Sequence, residues 1–104
     1  MQHSENQNIA TSLKALAHPR RMAIFQLLAA QPGAALSFQS LQSATKLQTT
    51  TLVHHLREME RAWLLARKRK GTEAYYRLTP QSLLTSMDSV HAILNVRFAP
   101  SIAA

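Results

Sequence analysis

Four prolines divide this chain of 104 residues into short segments, and their positions constrain the fold more than any other feature. A proline inside a helix removes a backbone hydrogen bond and clashes with the preceding turn, whereas at the first helical position it costs little. Pro19 and Pro80 therefore predict helix starts, and Pro32 with Gly33 predicts a helix end. Pro100 is predicted to end the last helix. The chain is expected to fold as several short helices.

Apolar residues at helical spacing predict the first two helices. The first spans about residues 9–17, and the second begins at Pro19 with His18 as its N-cap. The side chains expected on the buried face of the second helix are Met22, Phe25, Leu28 and Ala29.

Only a few residues separate the third and fourth helices, as in a helix-turn-helix. Ser37 is expected to cap the third helix, over about 38–46, and Thr49 or Thr50 to cap the fourth, which runs to about residue 62. The apolar positions of the fourth helix recur at i, i+4 and i+7 and predict its buried face: Leu52, Leu56 and Met59. The opposite face is left for other contacts.

Two β-compatible runs, over 64–70 and 73–79, flank a Gly-Thr turn and predict a β-hairpin. Thr79 and Pro80 then follow as the cap and first residue of a last helix, whose apolar stripe extends over 83–98.

These elements predict a single domain that is mainly α with a small β-hairpin, in the order ααααββα. We assign the domain to residues 9–98, between a flexible N-terminal segment (1–8) and a C-terminal tail (99–104). The order is that of a winged helix-turn-helix, in which one helix fits the major groove of DNA and the hairpin contacts the adjacent backbone.

Composition excludes several classes of protein. The chain has no cysteine, which excludes disulfides, thiolate metal sites and thiol-based sensing. It has only two glycines, no glycine-rich phosphate loop and no grouping of nucleophile and base, so we expect neither an enzyme nor a cofactor. A polar N-terminus and the lack of a membrane-length apolar run predict a cytoplasmic protein without membrane contact.

The net charge of +7 favours an acidic partner, and the basic residues cluster in the fourth helix and the hairpin. Threonines near the start of the fourth helix can bind phosphate, Val53 can contact a thymine methyl, and Arg57 can reach guanine or the backbone. The alternative is a solvated helix face beside an edge strand whose charge prevents aggregation. The residues expected at a DNA interface are Thr49, Thr50, Thr51, Val53, His54, Arg57, Arg61, Arg67, Lys68, Arg69 and Lys70.

Three stretches of the sequence carry a family resemblance. They read Leu-Ala-His-Pro-Arg-Arg-Met at 16–22, Leu-Gln-Thr-Thr-Thr-Leu-Val-His-His-Leu-Arg at 47–57, and Arg-Lys-Arg-Lys-Gly-Thr-Glu-Ala-Tyr-Tyr-Arg-Leu at 67–78. Together they resemble the ArsR/SmtB family of small bacterial repressors, over roughly residues 9–98. The resemblance implies a dimeric repressor, and its best candidates for groove contacts are Thr50, Val53, His54 and Arg57.

The chain departs from this family at Trp63, where relatives usually have glycine in an Ala-Gly-Leu-Val sequence. Glycine there permits a left-handed helix cap. Either the cap is strained, or the helix ends differently, or Trp63 is an ordinary core or interface aromatic.

The family's sensing chemistry is also different here, because its cysteine sites are absent. Another family site lies on the last helix, where Asp88 and His91 stand at i and i+3. The second ligand pair is missing, since Asn95 and Arg97 do not supply it. We therefore expect no metal and an unidentified small-molecule or protein inducer; a metal-responsive repressor using Asp88 and His91 is the alternative.

The terminal helices carry more apolar surface than one small domain needs, and the resemblance also implies a two-fold dimer that pairs them. Such a dimer should bind an inverted repeat in double-stranded DNA. A rival hypothesis is a basic winged-helix module that binds RNA or protein, for which no inverted repeat is expected. The residues expected at the dimer interface are Ile9, Leu13, Leu16, Leu83, Met87, Val90 and Leu94.

Overall fold

The computed structural model describes the backbone of residues 2–103 and the side chains of residues 5–96. Within this range a short 3-10 turn, Pro32–Ala34, precedes the first strand. The elements are α1 (Gln2–Leu16), α2 (Pro19–Ala29), β1 (Ala35–Ser37), α3 (Phe38–Thr45), α4 (Thr49–Arg61), β2 (Leu65–Lys70), β3 (Glu73–Leu78) and α5 (Gln81–Ala103). The prediction of a mainly α fold with a β-hairpin is confirmed.

The outer helix boundaries differ from the prediction. α1 begins at Gln2 rather than near Ile9, because neither proline nor glycine interrupts the preceding polar residues. Most of the expected N-terminal segment (1–8) is therefore helical. α5 continues past Pro100 to Ala103, so the prediction that this proline ends the helix is wrong. A proline removes a single N–H donor, and here less than one turn of helix follows it.

Both predicted caps before α2 and α3 are confirmed. The backbone N–H of Arg20 donates to Nδ1 of His18 at 3.1 Å, and Pro19 is the first residue of α2. The backbone N–H of Ser40 donates to Oγ of Ser37 at 3.0 Å, which caps α3. Each side chain satisfies one of the donors left free at a helix start.

The caps predicted for α4 and α5 are wrong. Gln48 is the N-cap of α4, without a side-chain hydrogen bond, and Thr49 is already helical. The carbonyl of Pro80 accepts the first helical bond of α5 from Leu84 at 2.8 Å, so the proline stands one position earlier than expected. The Thr79 hydroxyl instead donates to the carbonyl of Trp63 at 2.9 Å. This bond joins the start of α5 to the end of α4.

The hairpin belongs to a three-stranded antiparallel sheet of order β1-β3-β2, whereas the sequence predicted only two strands. In β1, Leu36 pairs with Tyr76 of β3. Lys70 pairs with Glu73, and Gly71 (φ +66°) takes the first position of the predicted two-residue turn, which favours glycine. Because β1 leads directly into α3, the sheet connects the hairpin to the helix-turn-helix.

The hydrophobic core lies where α2, α3 and α4 meet the sheet. The predicted inner face of α4 is confirmed, and the predicted face of α2 is confirmed in part: Leu28 is buried as expected, but Ile24 is buried in place of Met22, which is 40% exposed. Phe25 is half-buried, and Ala29 is exposed. The largest fully buried side chains are Ile24, Leu28, Leu41, Leu52, Leu56, Met59 and Leu64.

α5 packs along α1, where the hydroxyl of Ser86 donates to that of Ser12 at 3.4 Å. Among the described residues, no helix combines the length and the apolar character needed to cross a bilayer.

Candidate nucleic-acid interface

α4 presents one polar face to solvent and buries the opposite one. Thr50, His54 and Arg57 are exposed, and Val53 is half-buried between them. We call these four residues the outer face of α4. They lie together because i, i+3, i+4 and i+7 share one side of a helix, and Leu52, Leu56 and Met59 anchor the other side in the core.

The threonines at the start of α4 differ in their surroundings. Thr51 is half-buried at the margin of the outer face. Thr49 is exposed, and its hydroxyl accepts a hydrogen bond from the Gln42 side-chain amide at 2.9 Å. The same amide lies 3.3 Å from the carbonyl of Leu47. Gln42 therefore fixes the turn between α3 and α4.

Arg61, also predicted at the interface, is paired with a carboxylate. Its Nη1 lies 2.7 Å from an oxygen of Glu58, one turn earlier on α4. Glu58 lines the same shallow groove as Thr50, His54 and Arg57. A carboxylate there repels phosphate and offsets the charge of Arg61, so Arg57 is the stronger cation for a polyanion.

The β2–β3 hairpin, here called the wing, divides its cations between two faces. Directly opposite residues of antiparallel strands share a face, so Arg67 lies on the face of its partner Tyr76, which is buried. Lys68 lies on the other face with Tyr75, which is exposed. Alternation along the strand places Arg69 with Arg67 and Lys70 with Lys68. All four cations are exposed, as predicted for a binding surface.

A single groove joins α4 to the wing. α4 contributes Thr49, Val53 and Arg57 to its walls, and the wing contributes Arg67 and Arg69. Tyr76 also lines it, and burial raises the pKa of this phenol. The two basic features that the sequence indicated separately therefore meet in one concave surface. Lys68 and Lys70 do not line this groove.

Trp63 ends α4 in the left-handed conformation that relatives give to glycine. Its φ is +62°, its N–H donates to the carbonyl of Glu60 at 3.1 Å, and the N–H of Leu64 donates to Met59 at 3.0 Å. These two bonds form a complete Schellman motif. Its side chain is 72% exposed, so a role as a core aromatic is wrong. The strained cap is therefore observed, and the role of Trp63 as an interface aromatic stays a prediction.

The predicted dimer residues fall into two groups. Leu83 is buried in the core of its own chain, and Leu16 packs partly against that core. Leu13, Met87 and Leu94 are exposed, while Ile9 and Val90 are half-buried. The structure adds further exposed apolar side chains on α5: Leu84, Ile93 and Val96. The α1–α5 pair therefore leaves apolar side chains exposed along much of its described length.

Asp88 and His91 are both exposed on α5. In the described part of the chain, no three His, Asp or Glu side chains come together as a metal-binding group. The family site draws its ligands from two subunits, so the metal alternative stays a prediction.

Beneath α4 lies a cluster of basic side chains that the sequence analysis did not assemble. His55 lies on the inner side of α4 and is only 4% exposed. The Nε of Arg21 donates to Nδ1 of His55 at 3.1 Å. The ring of His18 lies 4.6 Å from that of His55, between centroids. Burial and the neighbouring basic groups lower the pKa of His55.

Comparisons with known proteins agree with this geometry. The family described as "Helix-turn-helix domain" matches residues 16–68. A search of the curated proteins finds no significant match.

Solved structures are similar over most of the chain. A crystal structure of a possible transcriptional regulatory protein from Mycobacterium bovis has 28% identity and a TM-score of 0.66, covering 86% of this chain and 92% of that chain. The solution structure of a homodimeric winged helix-turn-helix DNA-binding domain from Mycobacterium bovis, a possible ArsR-family transcriptional regulator, has 25% identity and a TM-score of 0.71, with coverages of 92% and 86%. An ArsR-like transcriptional regulator from Rhodococcus, at 20% identity, has a TM-score of 0.76, covers 94% and 89%, and shows the shared fold.

Proposed function

Because the chain belongs to the helix-turn-helix domain family and is a winged helix-turn-helix regulator of the ArsR type, we propose that it is a dimeric, sequence-specific repressor of transcription. The observation that carries this proposal is the groove shared by α4 and the wing. Arg57, Arg67 and Arg69 converge on it, and the helix face beside it is exposed rather than packed.

The outer face of α4 reads the major groove. A helix of this diameter fits the groove of B-DNA, and its base edges carry a donor and acceptor pattern that distinguishes every base pair. Arg57 is suited to the two acceptors of guanine, and Val53 to a thymine methyl. Arg67 and Arg69 then contact the phosphates next to the groove and fix the register of the protein on the duplex.

The apolar side of α1 and α5 forms the dimer interface. The Cα radius of gyration is 16.1 Å, whereas a compact domain of about 100 residues has about 13 Å. α5 extends beyond the core, and its exposed Leu84, Ile93 and Leu94 have no apolar contact that would bury them in one chain. Apolar side chains gathered on one surface are typical of an interaction site, and one relative of known structure is a homodimer.

Two-fold symmetry places two copies of α4 on one face of the DNA. The operator is therefore an inverted repeat whose half-sites lie about one or two helical turns apart. Occupancy of a promoter by the dimer blocks transcription. The releasing signal does not use cysteine, since the chain has none.

The proposal is tested by selecting bound duplexes from a random-sequence DNA library with the full chain. We expect an enriched inverted repeat, and sedimentation should show two chains on each duplex. A selection that yields no repeated half-site contradicts the proposal and supports the rival, a basic module for RNA or protein. That rival also predicts that substitution of Val53 or His54 leaves binding unchanged.

The role of Arg57 is tested on the selected duplex. Arg57→Ala should weaken binding by about tenfold to a hundredfold, the value of a good arginine contact to a base. Arg77→Ala removes the same charge from the other face of the sheet, which Arg77 shares with Tyr75 and Lys68. This variant serves as the matched control, with about twofold loss or less. Equal losses in the two variants would remove Arg57 from the groove.

A further inference from the structure

We infer that Arg21 is a positioning residue that holds α4 in its DNA-reading orientation through His55, and that this contact makes operator affinity depend on the proton bound by His55. The inference rests on the proposed DNA binding and names a control of that same surface.

Arg21 lies near the start of α2 and contacts two other helices. Its Nε donates to Nδ1 of His55 on α4 at 3.1 Å, and its Nη1 lies 3.5 Å from the carbonyl of Ala15 near the end of α1. The guanidinium therefore bridges a helix proposed for dimerisation and the helix proposed to read DNA. In sequence, Arg21 and His55 are 34 residues apart.

His55 transmits this contact directly to the outer face of α4. It is adjacent to His54 and two residues from Arg57 and Val53 along the same rigid helix. A helix turns by about 100° per residue, so a small rotation that accommodates the buried imidazole also redirects the side chains on the opposite side. The position of His55 thus sets the direction in which Val53, His54 and Arg57 point.

The hydrogen bond requires a neutral imidazole. Nδ1 of His55 accepts from Arg21, so the ring proton must be on Nε2. Protonation places a second donor on Nδ1, facing the guanidinium N–H, and adds a positive charge to a buried basic cluster. The titratable and charged groups that act on His55 are His18, Arg20 and Arg21 at the start of α2 and His54 on α4 itself, and all are basic.

His18 lies against the same contact. Its Nδ1 accepts the backbone N–H of Arg20 and caps α2, and its ring lies 4.6 Å from that of His55, between centroids. The charged form of His55 is accommodated only when Arg21 withdraws, which breaks the hydrogen bond between α2 and α4.

The experiment compares His55→Gln with the wild type on the duplex enriched in the selection, from about pH 7.5 to about pH 5.5. The glutamine amide oxygen can accept from Arg21 without titrating. We expect equal affinities, within about twofold, at the higher pH, and binding at least about threefold tighter for His55→Gln at the lower pH. Both proteins keep the exposed His54, so any contribution of this side chain cancels in the ratio.

Arg21→Met tests the positioning role. It should weaken binding about tenfold at neutral pH, as expected for a lost hydrogen bond to a charged donor. The ratio of its affinity to that of His55→Gln should not change with pH. Arg20→Met removes the same charge from the neighbouring residue but leaves the hydrogen bond between Arg21 and His55 intact. We expect this variant to lose about threefold or less in affinity. Circular dichroism at each pH confirms that every variant is folded.

The outcomes separate this inference from the proposed function. A ratio of one between wild type and His55→Gln at both pH values overturns the inference, as does an Arg21→Met profile that still parallels the wild type. Failure to enrich any duplex with the wild type at any pH contradicts the proposed function instead. If DNA binding fails in this way, the urea stability of wild type and His55→Gln over the same pH range still tests the acceptor contact.

Discussion

The two faces of the wing should contribute unequally to DNA binding, although they carry the same charge. Arg67→Ala/Arg69→Ala removes the two cations that line the groove beside α4, and Lys68→Ala/Lys70→Ala removes the two on the other face. The variants therefore have the same net charge and substitutions in the same strand. Any difference between them reports the direction of the side chains and not the overall field of the protein.

The magnitude follows from counterion release. Each neutralised phosphate contributes about 0.9 to the slope of log affinity against log salt concentration. Two arginines in each of two subunits make four contacts, so the arginine variant should lower the slope by about 3.6. When salt rises from about 0.05 M to about 0.2 M, the factor by which the arginine variant loses affinity should be about 150 times smaller than the factor for the wild type. The lysine variant should lower the slope by less than about 1.

The assay is fluorescence anisotropy of a labelled duplex titrated with protein at four or more salt concentrations. Thermal unfolding in the absence of DNA checks that both variants are equally folded. Equal slopes for the two variants would refute the argument that the register of β2 and β3 selects which cations contact phosphate. An unchanged slope in the arginine variant would remove the wing from the interface altogether.

Three further predictions concern the helix cap, pH and metal. Trp63→Gly should raise the free energy of unfolding by about 1 kcal/mol, because glycine adopts the left-handed conformation without strain. Trp63→Ala keeps a Cβ and therefore the strain, so equal stability of the two variants in urea would contradict the prediction. The lowered pKa of His55 means that the folded chain binds fewer protons than the unfolded one. The contribution of His55 to stability is therefore present above the ordinary pKa of 6.5 and is lost as pH falls below it. Urea unfolding at several pH values should show a smaller loss of stability in acid for His55→Gln than for the wild type. Zinc or nickel should leave affinity for the selected duplex within about twofold, and a large drop that is abolished by His91→Ala would support the Asp88 and His91 alternative instead.

Residues with strong local preferences made much of the fold predictable. Pro19, His18 and Ser37 act within a few residues of themselves, and each was found where the sequence placed it. The buried face of α4 was equally clear, because Leu52 and Leu56 stand among polar neighbours. Local chemistry and hydrophobic periodicity agree at these positions, and such agreement makes an element predictable.

Elements that depend on distant partners were harder to predict. Strand β1 has only three residues, Ala35–Ser37, and forms by pairing with β3 far along the chain. On α2, Leu28 was predicted correctly, but Ile24 is buried beside it while Met22 stays exposed and Phe25 is only half-buried. Size and hydrophobicity do not specify which side of an apolar helix faces the core.

The candidate site was predictable in composition but not in geometry. Four consecutive cations give no alternating pattern, so the sequence could not separate Arg67 and Arg69 from Lys68 and Lys70. The contact between Arg21 and His55 joins two helices by one hydrogen bond, which no local pattern encodes. A polar residue in the middle of an otherwise buried helix face was the one signal that could have indicated a partner for His55.

The central position of β3 has a mechanical consequence for signalling. Because β3 is bonded on one side to β2 and on the other to β1, which leads into α3, the wing cannot move independently of the helix-turn-helix. In the proposed dimer, each subunit therefore carries its wing and α4 to the DNA as one rigid body. The proposed inducer would then act most simply by changing the distance between the two copies of α4 across the dimer axis, so that both no longer reach their half-sites at once.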